Sequence, residues 1–410
     1  MKILVVSSRP PWPPRMADAM TVDRLIRYLA QRGHEVDLTC FVESTAAERE
    51  LREGLGAVCN RIETVRLPRW RSYLTTALGL PGRAPMQVQY FRSRAMRARI
   101  ASLVAAKGYD VVYTHLIRMA EYTRELRVPK AMGMQISQAL NLSRMVEHVG
   151  DPFRALFYRI EAAKVRPYEA NAAADFDRVF LCGPSDVEAI ADTRPVSNAV
   201  ICPHGQEVPE LARVRAGVRE PGAIVITGVM STYTNVDAVL WFAKEVFPRV
   251  RAEVPDARFW IVGRDPQRAV RALASQPGIE VTGEVPDVAD WLCRAQVAVA
   301  PLRIGAGMQN KIVQAMACEL PVVATSVANE GIGAVPDEHL LVRDDADAFA
   351  RAVTGLLRDE SEALRLGRAA RSWVESHWTW DALFARLESS LIEAAGLRPQ
   401  DARSEDTARA

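Results

Sequence analysis

The sequence predicts an α/β protein of two Rossmann-like domains, each a parallel sheet covered by helices. Three observations carry that prediction. The chain has 410 residues, too many for one ordinary core and suited to two domains of roughly 200 residues each. Short apolar runs, such as KILVVSS at 2–8 and VAVAPL at 297–302, alternate with amphipathic stretches. That is the pattern of buried parallel strands and crossover helices. An aperiodic segment rich in proline and glycine, PHGQEVPELARVRAGVREPG at 203–222, divides the chain near its middle.

Apolar residues make up 49% of the chain and charged ones 25%, the balance of an ordinary soluble globular protein. Net charge is +2, but residues 1–205 carry 29 Lys/Arg against 21 Asp/Glu, and residues 206–410 carry 23 against 29. The six cysteines form no CxxC pair and read as free thiols in a reducing compartment. Met1-Lys2 leads straight into a strand, so no secretory leader is expected, and no apolar run reaches membrane-spanning length.

In chain order, a strand at 2–8 leads into the loop RPPWPPRMAD, stiffened by four prolines. A helix over 18–32 follows, with Val22, Leu25, Ile26, Leu29 and Ala30 on one face and Asp18 as N-cap. Gly33 ends it, and 35–41 is the second strand. This βαβ opening puts the loop 9–20, with Arg15 and Asp18, at the sheet's carboxyl edge, where open α/β sheets bind ligands. A strand at 61–67 begins a basic region: residues 61–107 hold ten Lys/Arg and one acid, interleaved with Trp70, Tyr73, Tyr90 and Phe91. Such a surface suits an anionic membrane face, and equally nucleic acid. A strand at 109–115 ends on His115, and another spans 130–136. A helical region over 141–174 carries Phe153, Leu156, Phe157 and Ile160, and strands at 178–182 and 198–202 close the first sheet.

The second domain opens with a strand at 223–228 ending on Gly228, then a helix from about Asn235. Met230, Ser231 and Asn235 are placed to line a pocket. A strand at 258–263 sets Arg264 at its carboxyl end. After the strand at 297–302 comes a loop with Arg303, Gly305 and Gly307, a helix over 308–319 and a strand at 321–325. Helical spacing turns Met308, Ile312, Ala315 and Met316 to the core, and Lys311 and Gln314 to another side. Arg303, Lys311 and the helix start at Met308 are therefore expected to converge on an anion, with a diphosphate matching their charge. A strand at 339–343, helices at 345–358, 360–377 and 380–395, and a polar, unstructured tail at 397–410 complete the reading.

The pattern PLR-x-G-x-G-x-x-N-K-x-x-x-AMA…PVVAT, with GVMSTYTNVDAVLWFAKEVFPRV (228–250), FWIVGRDP (259–266) and VTGEVPDVADWL (281–292), resembles the donor-binding half of glycosyltransferase family 4. The likeness is to an exopolysaccharide-associated bacterial branch. It implies the GT-B fold: an acceptor-binding domain over 1–205 and a nucleotide-sugar domain over 206–380, facing a cleft. It also implies a helix over 381–396 that crosses back to the first domain. The activity implied is that of a hexosyltransferase moving sugar from a nucleotide-diphosphate sugar to a hydroxyl, with a lipid-linked saccharide as the expected acceptor. Retention of configuration is implied, with neither metal nor cofactor beyond the sugar nucleotide. His115, Arg303 and Lys311 become the catalytic candidates. Gly228, Asn235, Arg264, Gly305, Gly307, Met308, Asn310 and Gln314 are the donor-binding candidates, and Arg15 and Asp18 those for the acceptor. Sugar transfer makes an inner-membrane surface, rather than nucleic acid, the expected partner of residues 61–107, and the protein a cytoplasmic, peripheral membrane one. The sequence departs from the family at Ala306 and Gln314, where relatives carry two glutamates, at Glu319, where glycine is common, and in the glycine-free loop 9–20. These departures leave two alternatives, a degenerate nucleotide- or partner-binding protein and a nucleotide-sugar 2-epimerase. A Rossmann oxidoreductase is disfavoured, because the first strand is not followed by G-x-G-x-x-G.

Overall fold

A computed structural model describes residues 1–79, 81–148, 151–209, 214, 218–303 and 309–398. The chain forms two compact units, Met1–His204 together with the residues from Leu383 onward, and Gly205–Ala382.

The first unit is built on a seven-stranded parallel sheet of order β3-β2-β1-β4-β5-β6-β7. Its strands are Lys2–Ser7 (β1), Glu35–Val42 (β2), Arg61–Arg66 (β3), Val111–His115 (β4), Lys130–Gln135 (β5), Arg178–Leu181 (β6) and Ala199–Ile201 (β7). Its first helices are Ala17–Gln31 (α1), Thr45–Leu55 (α2), Arg69–Gly79 (α3), Met86–Tyr90 (α4) and Arg94–Ala106 (α5). Gln138–His148 (α6), Pro152–Ala174 (α7) and Pro184–Ala191 (α8) follow. Val22, Leu25, Ile26 and Leu29 of α1 are fully buried, as their spacing predicts. The predicted single helical region over 141–174 is two helices. Asp151 accepts the Phe153 N–H at 2.9 Å and Pro152 sits at N1, so a new helix nucleates there. Phe153, Leu156, Phe157 and Ile160 share one face of α7, and that face is exposed.

The second unit holds a six-stranded parallel sheet of order β10-β9-β8-β11-β12-β13. Its strands are Ala223–Thr227 (β8), Arg258–Val262 (β9), Ile279–Gly283 (β10), Val297–Ala300 (β11), Val322–Ala324 (β12) and Leu341–Val342 (β13). Tyr233–Trp241 (α9) runs through a π-helical turn into Phe247–Glu253 (α10). Then come Arg268–Ala272 (α11), Val288–Arg294 (α12), Asn310–Ala317 (α13), Ser326–Glu330 (α14), Ala346–Arg358 (α15), Glu360–His377 (α16) and Trp380–Ala394 (α17). β10 escapes the apolar-run criterion because only Ile279 in it is buried; it is an edge strand. The strand expected at 339–343 shrinks to two residues. Glu319 follows α13 with φ +51°, a left-handed conformation that glycine adopts at less cost. In each sheet the chain reverses direction of growth beside the first strand of the unit, at β1/β4 and at β8/β11. Loops leaving the carboxyl ends of those strands diverge and leave a crevice.

Residues from Leu383 onward are tied to α1 and β2 by a buried polar cluster. Glu388 meets His34 Nε2 at 2.8 Å, accepts the Tyr28 hydroxyl at 3.1 Å and lies 3.3 Å from Arg32. Phe384 packs on Tyr28, ring centroids 5.6 Å apart. Burial lowers the His34 pKa, so the imidazole is neutral. Burial pushes the Glu388 carboxyl up, but its hydrogen bonds from His34 and Tyr28 and the Arg32 charge outweigh that and hold it below the usual range. Removing the carboxylate takes the acceptor from the buried His34 Nε2 and the half-buried Tyr28 hydroxyl. Glu388→Ala is therefore expected to destabilise the first unit by about 3 kcal/mol in urea unfolding, with Glu388→Gln costing less because it keeps an acceptor.

Candidate functional site

The crevice of the second sheet is built from two strand-ending glycines and two helix starts. Gly228 follows β8 with φ +154° and Gly263 follows β9 with φ +151°. A Cβ on Gly263 would lie 1.7 Å from the Gly228 carbonyl oxygen, and one on Gly228 would lie 2.8 Å from Asn235 Nδ2. Glycine is required at both places by close approach as well as by φ. The loops are joined through the backbone, Gly228 N–H to the Val262 carbonyl at 3.1 Å and Met230 N–H to the Arg264 carbonyl at 2.9 Å. Asn235, on the first turn of α9, is buried and donates to the Val229 carbonyl at 3.0 Å. Its Oδ1 accepts the Lys311 ammonium, which projects from the first turn of α13. Asn310, beside it, accepts from Gln206 at 3.3 Å.

These groups enclose a cavity of about 470 Å³, whose wall includes Gly228, Asn235, Arg264, Asn310, Lys311 and Gln314. Burial depresses the Lys311 pKa to about 8, and among the described residues no carboxylate pairs with it. A half-buried ammonium held by one amide oxygen is an incomplete arrangement that an anion would complete. The N-terminus of α13, with no side-chain cap on its first N–H groups, adds to the same positive field.

Six of the residues singled out in the sequence thus share one cavity. Gly305, Gly307 and Met308 lie outside the described residues. Arg303 does not line this cavity. Its guanidinium forms a two-pronged ion pair with Asp237 of α9, Nε to Oδ2 at 3.0 Å, and lies 6.0 Å from the Trp241 ring centre. An acid on the neighbouring helix neutralises it, so the expected convergence of Arg303 with Lys311 is corrected. Met230 is fully buried in the core and does not line the cavity. Sequence reasoning missed Gly263 and the threonines 227, 232 and 234, which also line it. Gly263 carried a signal, since it ends a strand as Gly228 does.

The first unit corrects three further expectations. His115 is 1% exposed, and burial lowers its pKa to about 3. Its Nδ1 lies 3.4 Å from the Tyr113 hydroxyl and its Nε2 has no hydrogen-bond partner among the described residues. It is a neutral, enclosed imidazole at the end of β4, not a surface group. Asp18 is not an N-cap: α1 starts at Ala17, with Met16 in the capping position. Its carboxylate accepts from Arg118 at 2.7 Å and lies 3.5 Å from Arg9, so two arginines already occupy it. Phe91 is buried and is not part of an aromatic rim. Arg15 does line a pocket, an exposed one at the carboxyl edge of β1, where it lies 3.7 Å from Glu50.

Residues 221–359 match the family model for group 1 glycosyl transferases, and the cavity lies mostly within that span. The chain is a glycosyltransferase with the GT-B fold, and the part that carries the cavity matches group 1. A relative from Klebsiella pneumoniae, described as an uncharacterized 44.6 kDa protein in the cps region, is 21% identical over 94% of this glycosyltransferase and 98% of its own length. A Mycobacterium tuberculosis protein is described as a GDP-mannose-dependent alpha-(1-6)-phosphatidylinositol monomannoside mannosyltransferase. It is 32% identical over 35% of this chain and 41% of its own. Among solved structures, Anabaena HepE in complex with UDP superimposes with a TM-score of 0.61 at 12% identity, covering 96% of this chain and 100% of that one. Sucrose-phosphate synthase from Thermosynechococcus elongatus gives 0.58 at 18% identity over 95% and 98%. These two share the fold with this transferase.

The glycine packing yields a paired prediction. Gly263→Ala is expected to destabilise the second unit by about 3 kcal/mol, because backbone on both sides must shift. Gly355→Ala, on α15 where a Cβ meets open space, is expected to stabilise it by about 1 kcal/mol. Differential scanning calorimetry of the two variants checks both signs.

Proposed function

We propose that this glycosyltransferase moves a sugar from a nucleotide-diphosphate sugar, held in the cavity of the second unit, to a hydroxyl of a lipid-linked saccharide. The pathway would be exopolysaccharide or other cell-surface polysaccharide synthesis. The observation that carries the reading is Lys311, a half-buried ammonium with an amide partner and, among the described residues, no acid. As the C1–O bond of the donor breaks, negative charge grows on the diphosphate. Lys311 and the N–H groups at the start of α13 lie where that charge can be met, and a fixed cation away from bulk water stabilises it more than water does. Gln314 offers an amide to a ribose hydroxyl, with both donor and acceptor atoms. Transfer with retention, the leaving phosphate taking the acceptor proton, needs no side-chain base and no metal. His115, neutral and enclosed, is assigned no proton transfer. Arg303 acts on the cavity only indirectly, by fixing α9 through Asp237.

The acceptor class rests on two supports. The mycobacterial relative is described as acting on a phosphatidylinositol mannoside, and the Klebsiella relative as encoded in a cps region. Among the described residues no helix is long and apolar enough to cross a membrane. Trp70, Arg71 and Tyr73 are exposed on α3, and Arg83 is exposed in the loop after it, which supports contact of residues 61–107 with an anionic bilayer surface. The donor is found by thermal shift across a panel of nucleotide sugars, since a bound donor raises stability with its affinity. With that donor, Lys311→Ala is expected to lower kcat/KM by roughly a thousandfold while leaving the thermal midpoint of the free protein unchanged or higher. Wild-type turnover in the variant contradicts the reading.

A further inference from the structure

The first unit holds two cavities that share part of their wall. One, of about 550 Å³, lies at the carboxyl edge of β1 and β2, with Trp12, Arg15, Glu43, Ser44, Arg69 and Tyr73 in its wall. The other, of about 370 Å³, is a groove bordered by α3 and α4 on one side and by α6 and α7 on the other. Met86, Leu142, Phe157 and Val165 line it. Tyr90 and Phe91 belong to both walls, so the pocket of mixed polarity and the apolar groove are neighbours.

The groove's charged lining residue is Glu161, and it is turned to the backbone, accepting the Met86 N–H at 2.5 Å. Burial raises its pKa and so favours the uncharged carboxyl. Outside the groove, the α7 face that carries Phe157 continues as Phe153, Leu156 and Ile160, and Phe153 is 82% exposed. Single exposed apolar residues are ordinary, but four at i, i+3, i+4 and i+7 form a continuous stripe. Exposed arginines are carried by α7 itself and by the α3–α4 segment that borders the groove. Arg71, Arg83 and Arg159 are exposed, and none takes part in an ion pair among the described residues. In the polar pocket, Arg69 pairs with Glu43 at 2.8 Å and Arg15 with Glu50 at 3.7 Å. Exposed pairs of this kind hold weakly, and an arriving phosphate can open them.

We propose that the groove takes the hydrocarbon chain of the acceptor lipid, whose phosphate-bearing head sits in the pocket with Arg15 and Arg69. The inference rests on the lipid-linked acceptor of the proposed function and adds where its chain lies. One amphiphile satisfies both cavities at once, because they share the Tyr90–Phe91 wall. A flat bilayer face does not fill a concave groove, and it gives no role to the polar pocket behind it. A second copy of the chain would have to bring Arg71, Arg83 and Arg159 against their own counterparts or against a compensating acidic patch.

The test uses the full chain and alkyl phosphates below their aggregation concentrations, with butyl, octyl and dodecyl phosphate as probes in calorimetric titrations. Affinity is expected to rise about fourfold per added methylene until the groove is full. Leu142→Trp, which fills the groove, and Phe157→Gln, which makes its wall polar, are expected to flatten that rise. Both should leave the butyl phosphate affinity intact, which also reports that the fold survives. The thermal shift given by a nucleoside diphosphate is followed in the same samples. Its loss would fail the donor reading without touching the chain-length series. Equal affinities for all three probes, or a rise that both variants leave unchanged, overturns the inference. So does a dimer in sedimentation that Phe157→Gln dissolves, or binding to anionic vesicles with none to monomeric dodecyl phosphate.

Discussion

A half-buried ammonium with no acid beside it among the described residues is the constraint on which the second unit turns. Lys311 leaves water at a cost in free energy that one amide oxygen, from Asn235, only partly offsets. Holding that oxygen in place requires Asn235 to be locked to the Val229 carbonyl, and Asn235 fits only because Gly228 has no side chain. Gly228 in turn is pressed by Gly263, where even a methyl group is excluded. The two glycines, the asparagine and the lysine are thus one mechanical unit at the divergence of β8 and β11. The site is costly to the apo protein and is relieved when an anion arrives, which is the arrangement expected of a preorganised phosphate site.

The first unit treats its charges in the opposite way. Asp18 is matched by Arg9 and Arg118, Glu388 by Arg32, Tyr28 and His34, and His115 is held neutral by burial. These buried and half-buried charges are paired. What remains open is on its surface, where exposed arginines lie near an apolar stripe and a pocket of mixed polarity. A unit with paired interior charges and a basic, apolar surface is built to meet an amphiphile. A unit with an unsatisfied interior cation is built to meet a compact anion. The excess of Lys/Arg over Asp/Glu in residues 1–205 and its reversal in 206–410 agree with that division.

Most strands were legible because central parallel strands are apolar on both faces, as in β1, β8 and β11. β10 was not, because an edge strand with Glu280 exposed leaves no run of apolar letters. The relation of Lys311 to Gln314 could be read from helical spacing, and both line the cavity. The fate of Arg303 could not, since Asp237 lies 66 residues away and only the packing of α9 beside β11 brings them together. The same holds for His34 and Glu388, 354 residues apart. His115 shows a further gap: a strand-end position locates a residue at the carboxyl edge, but its burial depends on neighbours from other elements. Local patterns specify elements and faces; which charge neutralises which is a property of the assembled chain.

The account stands on the charge state of Lys311, and proton-detected NMR of a side-chain-labelled lysine reads it directly. In the free protein the Lys311 ammonium is expected to titrate near 8, below an ordinary lysine, because burial penalises the charged form. Adding a nucleoside diphosphate should raise that value, since the anion favours the protonated amine. A Lys311 that titrates as a solvent-exposed lysine, or whose titration is indifferent to the nucleotide, would contradict it.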